Sequence, residues 1–409
     1  MAACIVLLGF VLYPYVYLTA RAMFTMQSAN LVDAARTLGA GRGAVFLRVA
    51  LPLARPAIAV GLSLALMEAL NDIGASEFLG VRTMTVSIYT TWVTRSDLPG
   101  AAQIALAMLL VILAVVSLER WGRRQRRYHN DAQHPRPLVR HRLRGGGAAL
   151  AVAGVVVPVA VGFVIPTAYL THAAVTRVVR TGLPDAIFRE TMNTVSLSLL
   201  ATALALAGGV VVAYAMRTGR SRAADLFAAA ASLGYAVPGT VLAIGILPVV
   251  AGLDRWIDTV ATSLSGRSTG LLLLGAGAAV VYAYVARFLA LATGGVESGL
   301  ARVPGSFDDA ARTLGHTAGS RLRLVHLPLI RPALVAATLL VFVDCMKELP
   351  ATLLLRPIGV ETLATHLYGE AVRGTYEDAA IAALLIVVVG LIPVVVLARV
   401  GADRTLTER

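Results

Sequence analysis

Five ionisable residues lie in two strongly apolar segments of this chain, and an offset of 276 residues relates the two sets. They are Glu68 and Asp72 in the first segment, and Asp344, Lys347 and Glu348 in the second, where Lys347 takes the position of Asn71. Ionisable groups at membrane depth are costly and usually face a pathway or a partner. The pattern predicts either an outer gate or a helix end at which Asp344 and Lys347 pair across one turn. The lysine argues against coordination of a naked cation there.

The sequence lacks the residue sets of several kinds of catalysis. A P-loop needs Gly-x-x-x-x-Gly-Lys-Ser/Thr, and no glycine precedes the single lysine, Lys347, at that spacing. The seven histidines include no His-Glu-x-x-His pair for zinc, and we expect His316 and His326 to lie at a surface. Cys4 and Cys345 sit in apolar segments, so we expect both to be small buried residues and neither to form a disulfide or bind a metal. No metal site and no nucleophile–base pair is predicted.

The offset of 276 also relates two longer stretches, residues 33–57 and 309–333, in which 15 of 25 aligned positions are identical. Their shared landmarks are Asp33, Ala34, Ala35, Gly39, Leu51 and Pro52 in the first, and Asp309, Ala310, Ala311, Gly315, Leu327 and Pro328 in the second. An acid followed by alanines favours a helix start, and a glycine with positive φ ends a helix cheaply. The prolines are expected to interrupt a second short helix. The pattern predicts two short helices with a bend between them, outside the membrane.

This pattern resembles the EAA loop of ABC importer permeases, with Asp in place of Glu in both copies. In that family the loop is the coupling helix, which docks in a groove of a separate ATP-hydrolysing subunit. The resemblance implies an all-α, polytopic chain built from tandem type I (MetI-like) permease units, with ATP bound by the partner and no cofactor on this chain. It also implies two partners, a dimeric ATP-binding subunit and a periplasmic or lipid-anchored substrate-binding protein. On the residues alone, two ordinary amphipathic surface loops are the alternative.

Residues 346–357 and 361–364 resemble the fused, double-length ferric iron permeases, and residues 68–75 are a weaker counterpart in the first half. This resemblance implies that the cargo is ferric iron, imported across the cell inner membrane. Relatives that carry thiamine, sulfate, polyamine or phosphonate share the loops and remain alternatives. A secondary transporter with parallel repeats is the alternative from another class. It would need coupling-ion ligands at mid-membrane, whereas the charges of the spans cluster near helix ends.

The composition is that of a polytopic membrane protein. Hydrophobic residues make up 57% of the chain, charged residues 14%, and the mean hydropathy is +0.76. Segments of about 20 apolar residues predict nine spanning helices. They are residues 2–22, 54–72, 99–118, 146–170, 192–216, 225–250, 269–291, 332–348 and 376–399. Prolines such as Pro158, Pro238 and Pro248 are expected as kinks inside these helices, and Gly208 and Gly209 suit close helix packing.

The arginines predict the orientation of the chain. Alternate loops hold 25 arginines, against nine in the opposite set, and the excess marks the cytoplasmic side. Both Asp-Ala-Ala loops fall on that side, where an ATPase would be. The net charge of +13 is thus explained by the positive-inside distribution, so membrane lipid is expected as a partner and nucleic acid is not.

The predicted domains are unequal. Residues 1–120 form a first unit of three helices, residues 121–145 a basic cytoplasmic linker, and residues 146–409 a second unit of six helices. Arginines in the linker could bind anionic lipid or nucleic acid, and the positive-inside rule accounts for them more simply. Overlaying the two loops leaves the first unit short of three helices at its N-terminus. A late start site, a fragment or real shortening would each produce this, and we expect such a form to be unable to transport alone.

Overall fold

In the part that its computed structural model describes, the chain consists of helices joined by loops and turns. The described residues are 1–26, 29–124, 143–219, 226, 227, 229, 231 and 233–407, and no strand occurs among them. The predicted all-α class is therefore confirmed. Most of the predicted linker, residues 125–142, lies outside the described residues.

The helices before residue 220 include six long ones and several short ones. They are α1 Ala2–Met26, α2 Ala29–Thr37, α3 Arg42–Val45, α4 Leu51–Asn71, α5 Gly74–Phe78, α6 Met84–Tyr89, α7 Leu98–Arg124, α8 Gly146–Val159, α9 Ile165–Thr181 and α10 Ala186–Thr218. Single π-helical turns extend α3, α6 and α8 at Phe46–Ala50, Thr90–Thr94 and Ala160–Val164.

The remaining helices follow the same alternation of long and short elements. They are α11 Gly239–Ser265, α12 Leu272–Gly275, α13 Ala278–Leu300, α14 Ser306–Thr313, α15 Ala318–Arg321, α16 Leu327–Leu329, α17 Arg331–Met346, α18 Pro350–Leu355, α19 Leu363–Arg373 and α20 Tyr376–Thr407. A fourth π-helical turn, Leu322–His326, joins α15 to α16.

The number of membrane-crossing helices is close to the predicted nine. In the described part of the chain, seven helical runs are long and apolar enough to cross a membrane, and the bent pair Ala318–Leu329 with Arg331–Met346 would make an eighth. Helix α20 occupies the ninth predicted segment. The chain is thus a multi-pass helical membrane protein.

Two predicted spans are displaced along the chain. The span predicted at residues 225–250 is α11, which begins at Gly239 and continues to Ser265. Pro238 has extended backbone angles, φ −57° and ψ 145°, so it precedes the helix and does not kink it. The next span, predicted at residues 269–291, is α13, which begins only after Gly277, a glycine with φ 75°. Hydropathy identified these apolar segments correctly, but the backbone conformation of Pro238 and Gly277 determines where the two helices begin.

The first of two compact units comprises Met1–Val86 and Leu106–Tyr169. Within it, α1 packs along α4. A Cβ atom at Gly61 of α4 would lie 2.7 Å from the Val16 Cα atom, so the glycine permits this close approach. The helix that begins at Gly146 is grouped with the earlier residues in this unit. The predicted 3 + 6 division of the repeat stays a prediction.

The second unit comprises Ser87–Ala105 and Leu170–Arg409, and its centre is α13. Helix α10 packs along α13, where a Cβ atom at Gly209 would lie 2.9 Å from the Ala292 Cβ atom. Helix α17 packs on the same helix through Gly295 and Ala337, with a corresponding distance of 2.7 Å. The predicted role of Gly209 in close helix packing is confirmed.

Candidate functional site

The two Asp-Ala-Ala loops have the same backbone geometry. Gly39 and Gly315 have φ values of 82° and 80°, which confirms the predicted left-handed helix stop. Each helix ends in a Schellman motif. In the first loop the amide of Gly39 donates to Arg36 O (2.9 Å) and the amide of Ala40 donates to Ala35 O (3.0 Å). In the second loop the amide of Gly315 donates to Arg312 O (2.9 Å) and the amide of His316 donates to Ala311 O (3.0 Å). The repeated sequence therefore folds twice into one local structure.

The prolines of the loops do not both act as predicted. In each copy a π-helical turn precedes the Leu-Pro pair, and the leucine amide donates to the carbonyl five residues earlier, from Leu51 to Phe46 and from Leu327 to Leu322. The helix then continues through Pro52 without a break. In the second copy an 80° bend follows at Ile330, two residues after Pro328. The prediction that the proline interrupts the helix was wrong for Pro52, because this proline lies in the first turn after the π turn, where its missing amide is tolerated. In the second copy the helix does end one residue after Pro328.

The tips of the loops present side chains to the surroundings. Asp33, Ala34, Asp309 and Ala310 are exposed, Ala35 is half-buried, and Ala311 is buried. The leucine before each glycine was not singled out from the sequence, yet Leu38 is 88% exposed and Leu314 is 77% exposed. The two turns thus expose the same apolar residue at equivalent positions.

A partly buried ionic cluster lies beneath the second loop, centred on Asp308. The Arg217 guanidinium donates to Asp308 Oδ2 through Nε (3.0 Å) and Nη2 (2.8 Å). His326 Nε2 lies 2.9 Å from Asp308 Oδ1, and Arg321 Nη1 lies 3.6 Å from the same oxygen. His326 is 0% exposed, so the prediction of a surface histidine was wrong. The residue is buried because α10 covers it, with the rings of Tyr214 and His326 centred 5.5 Å apart.

This cluster holds Asp308 in its ionised form. Burial alone would raise the pKa of the carboxyl group, but the hydrogen bonds from Arg217 and His326 bring the pKa below its usual range. The carboxylate therefore stabilises the folded state above the pKa that it has in the unfolded chain. That contribution is lost as the pH falls through the lower, folded-state pKa.

The outer clusters share a second repeated structure, in which a carboxylate caps a short helix. Glu348 accepts hydrogen bonds from Ala351 N (3.1 Å), Thr352 N (3.1 Å) and Thr352 Oγ1 (2.9 Å). Asp72 accepts from the equivalent Ala75 N (3.3 Å), Ser76 N (2.8 Å) and Ser76 Oγ (2.8 Å). The two carboxylates thus cap and stabilise the N-termini of α18 and α5.

The second outer cluster also contains a buried ion pair that the sequence analysis missed. Arg287, in the middle of α13, donates through Nη1 to Glu348 Oε1 at 3.0 Å, and both side chains are buried. Asp344 and Lys347 form the predicted i,i+3 pair, with Oδ1 and Nζ 2.9 Å apart. Arg287 was detectable as an arginine inside an apolar segment. It is also an exception to the expectation that charges cluster near helix ends.

Residues 1–128 and 205–406 match the family described as "Binding-protein-dependent transport system inner membrane component". The chain belongs to this family. The permease is 25% identical over 391 residues to a "Fe(3+)-transport system permease protein" of Haemophilus influenzae, a match that covers 94% of this chain and 74% of the relative. It is 24% identical over 426 residues to a "Probable ABC transporter permease protein" of Sinorhizobium fredii, covering 97% and 72%. It is 42% identical over 109 residues to the molybdenum transport system permease protein of Escherichia coli, covering 23% and 48%.

This chain is therefore an inner-membrane permease of the ABC importer class, and it is not an enzyme. Among the residues that the structure describes in the permease, no group of three His, Cys, Asp or Glu side chains could hold a metal ion. Both cysteines are buried and free. The roles assigned to the loops in docking, and to Glu68, Asp72, Asp344, Lys347 and Glu348 in an outer gate, stay predictions.

Proposed function

We propose that this permease is the membrane subunit of an ATP-driven importer of ferric iron. The observation that carries the proposal is the similarity along 94% of the chain to a permease named for Fe(3+) transport. The match to the molybdenum permease has a higher identity but covers only 23% of this chain. The larger share of the chain that is similar to the Fe(3+) permease therefore favours ferric iron as the cargo, and molybdate is the alternative.

A substrate-binding protein outside the membrane would deliver the iron, as the description of the family indicates. The permease would contribute alternating access and no tight metal site. The absence of a three-ligand cluster among the described residues is compatible with that task. The Lys347–Asp344 and Arg287–Glu348 pairs compensate the carboxylates of the second outer cluster, so their charge is not left free to trap a trivalent cation.

The two Asp-Ala-Ala loops would dock on a separate ATP-hydrolysing subunit. The structure supports docking by both loops in the same way. Each copy exposes its aspartate, the first alanine after it and the leucine before the glycine, and the turn has the same geometry in both copies. Two equal docking elements suit a dimeric partner, because each ATPase protomer would receive one loop. ATP would be bound by that partner.

Uptake by cells that express the permease with its ATPase and binding protein tests this proposal. We expect accumulation of radiolabelled ferric iron that unlabelled molybdate, thiamine, sulfate, polyamine or phosphonate does not compete away. Depletion of ATP should stop uptake, whereas collapse of the proton gradient at a constant ATP level should not. Molybdate uptake without iron uptake would overturn the cargo, and dependence on the proton gradient alone would overturn the ATP-driven class.

A further inference from the structure

We propose that Arg217, Asp308 and His326 form a joint that fixes the second docking loop to the membrane helices. The joint makes this loop the rigid transmitter of ATPase movement. The first loop has apolar residues, Val32 and Ala50, at the positions of Asp308 and His326. This inference rests on the proposed docking function of the loops. It concerns positioning residues, since none of the three is at the exposed tip of the loop.

Arg217 connects three elements with one side chain. It is the second-last residue of α10, and it donates to Asp308 of α14 through Nε and Nη2. Nη1 also donates to Leu300 O at the end of α13 (2.6 Å). Nη2 also donates to Val303 O in the turn that follows α13 (2.9 Å). The planar guanidinium can make these bonds simultaneously, which a lysine ammonium could not reproduce.

His326 and Tyr214 fix the other side of the loop. Because the Asp308 carboxylate is an acceptor, His326 Nε2 carries the proton of their 2.9 Å bond. The Tyr214 hydroxyl donates to Ala318 O at 2.7 Å, at the start of α15. The loop is therefore attached to α10 on both sides of Gly315, before it at Asp308 and after it at Ala318.

The first loop carries apolar residues at the corresponding positions. Subtracting 276 places Val32 where the second loop has Asp308, Val45 where it has Arg321, and Ala50 where it has His326. The two loops share the Schellman turn and the π turn, yet these positions of the first loop cannot form an ion pair. The permease thus combines two equal docking surfaces with two different attachments.

A charged network beneath a docking element transmits displacement because breaking it would leave the partly buried charges of Arg217 and Asp308 unpaired. Movement of α14 should therefore carry the ends of α10 and α13 with it. Without Arg217 or the Asp308 charge, α14 could shift on its own, and ATP hydrolysis would be separated from movement of the spanning helices. The predicted defect is uncoupling, with the loop tip still able to dock.

Hydrogen exchange of the permease in detergent tests the joint directly. We expect Asp308→Asn and Arg217→Gln to speed amide exchange in residues 306–326 by about tenfold or more, since charge-assisted hydrogen bonds are among the stronger ones. The first loop, residues 29–50, is the internal control and should not change. Arg323→Gln is the matched control, because Arg323 is exposed in the same segment. Arg217→Lys should give an intermediate rate.

Transport by the reconstituted complex with the ATPase and binding protein tests the consequence. Asp308→Asn should retain the ATPase and hydrolyse ATP, but import severalfold less iron per ATP than the wild type or Arg323→Gln. Unchanged exchange in residues 306–326 of the folded Asp308→Asn variant would overturn the joint. Faster exchange with an unchanged ratio of iron to ATP would overturn its role in transmission. Failure of the wild-type permease to bind any ATPase would instead contradict the proposed function, while the exchange experiment would still decide the joint.

Discussion

At the scale of single residues, Gly39 and Gly315 fix the shape of the docking loops. Both have φ near 80°, and nothing lies within 4 Å of the position that a Cβ atom would take. Crowding is therefore not the obstacle to a larger residue there. The obstacle is the backbone conformation itself, which costs an L-residue about 1 kcal/mol or more.

We predict that Gly315→Val leaves the amount of permease in the membrane near normal, weakens association with the ATPase and abolishes uptake. The strain is confined to the turn, so the spanning helices should insert as before. Gly39→Val should have the same effect in the first loop. Co-purification of the ATPase, normalised to the permease in the membrane, measures the change.

Two substitutions control for side-chain size in this experiment. Gly305→Val places the same side chain at a glycine with φ −62° and open space, and it should behave as the wild type. Gly315→Asn should retain most of the activity, because asparagine tolerates the left-handed region. Full co-purification and normal uptake with Gly315→Val would show that the loop is not the coupling element.

At the scale of elements, the start of α11 is packed against the buried Arg287–Glu348 pair. A Cβ atom at Gly239 would lie 2.5 Å from Glu348 Oε1, 2.6 Å from Arg287 Nη1 and 3.1 Å from Ala351 N. Glu348 also caps α18, so the pair cannot move away without loss of those hydrogen bonds. One glycine thus allows α11, α13 and α18 to meet around an ion pair.

We predict that Gly239→Ala destabilises the permease by about 1–3 kcal/mol, the usual cost of overpacking a dense interior. Thermal unfolding of the purified protein in detergent should show a lower Tm. Gly245→Ala is the matched control, because Gly245 lies in the same helix with nothing within 4 Å of an added Cβ atom. Equal melting temperatures for the two variants would mean that the ion pair is not held in place by α11.

At the scale of the whole molecule, the distribution of arginines assigns both docking loops to the cytoplasm. The exposed end of α11 and the turn that follows it should then lie outside. Cys4 and Cys345, the two native cysteines, are buried and should give little background in a labelling experiment.

We predict that an impermeant thiol reagent labels Ser265→Cys in intact cells and labels Ser320→Cys only after the cells are opened. Ser265 ends α11, and Ser320 lies in α15 of the second loop. Cells opened in the same way provide the control for accessibility of each thiol. Labelling of Ser320→Cys in intact cells would reverse the orientation and remove the loops from any cytoplasmic ATPase.

The sequence by itself determined the features that depend on neighbouring residues. Apolar runs of membrane length identified the spanning helices, and the repeated Asp-Ala-Ala pattern with its glycine identified two turns of one geometry. These predictions succeeded because helix formation and a positive φ depend on residues within a few positions of each other.

Tertiary structure alone decided the rest. The burial of His326, its bond to Asp308 and the attachment of both to Arg217 join residues up to 109 positions apart, from Arg217 to His326. Arg287 and Glu348 likewise meet across 61 positions. The residues next to each of these charges in the sequence give no sign of its partner. Which charges pair depends on which helices pack together. Close packing of α10 on α13 through Gly209 places Arg217 beside the end of α13, where it reaches Leu300 O and Asp308.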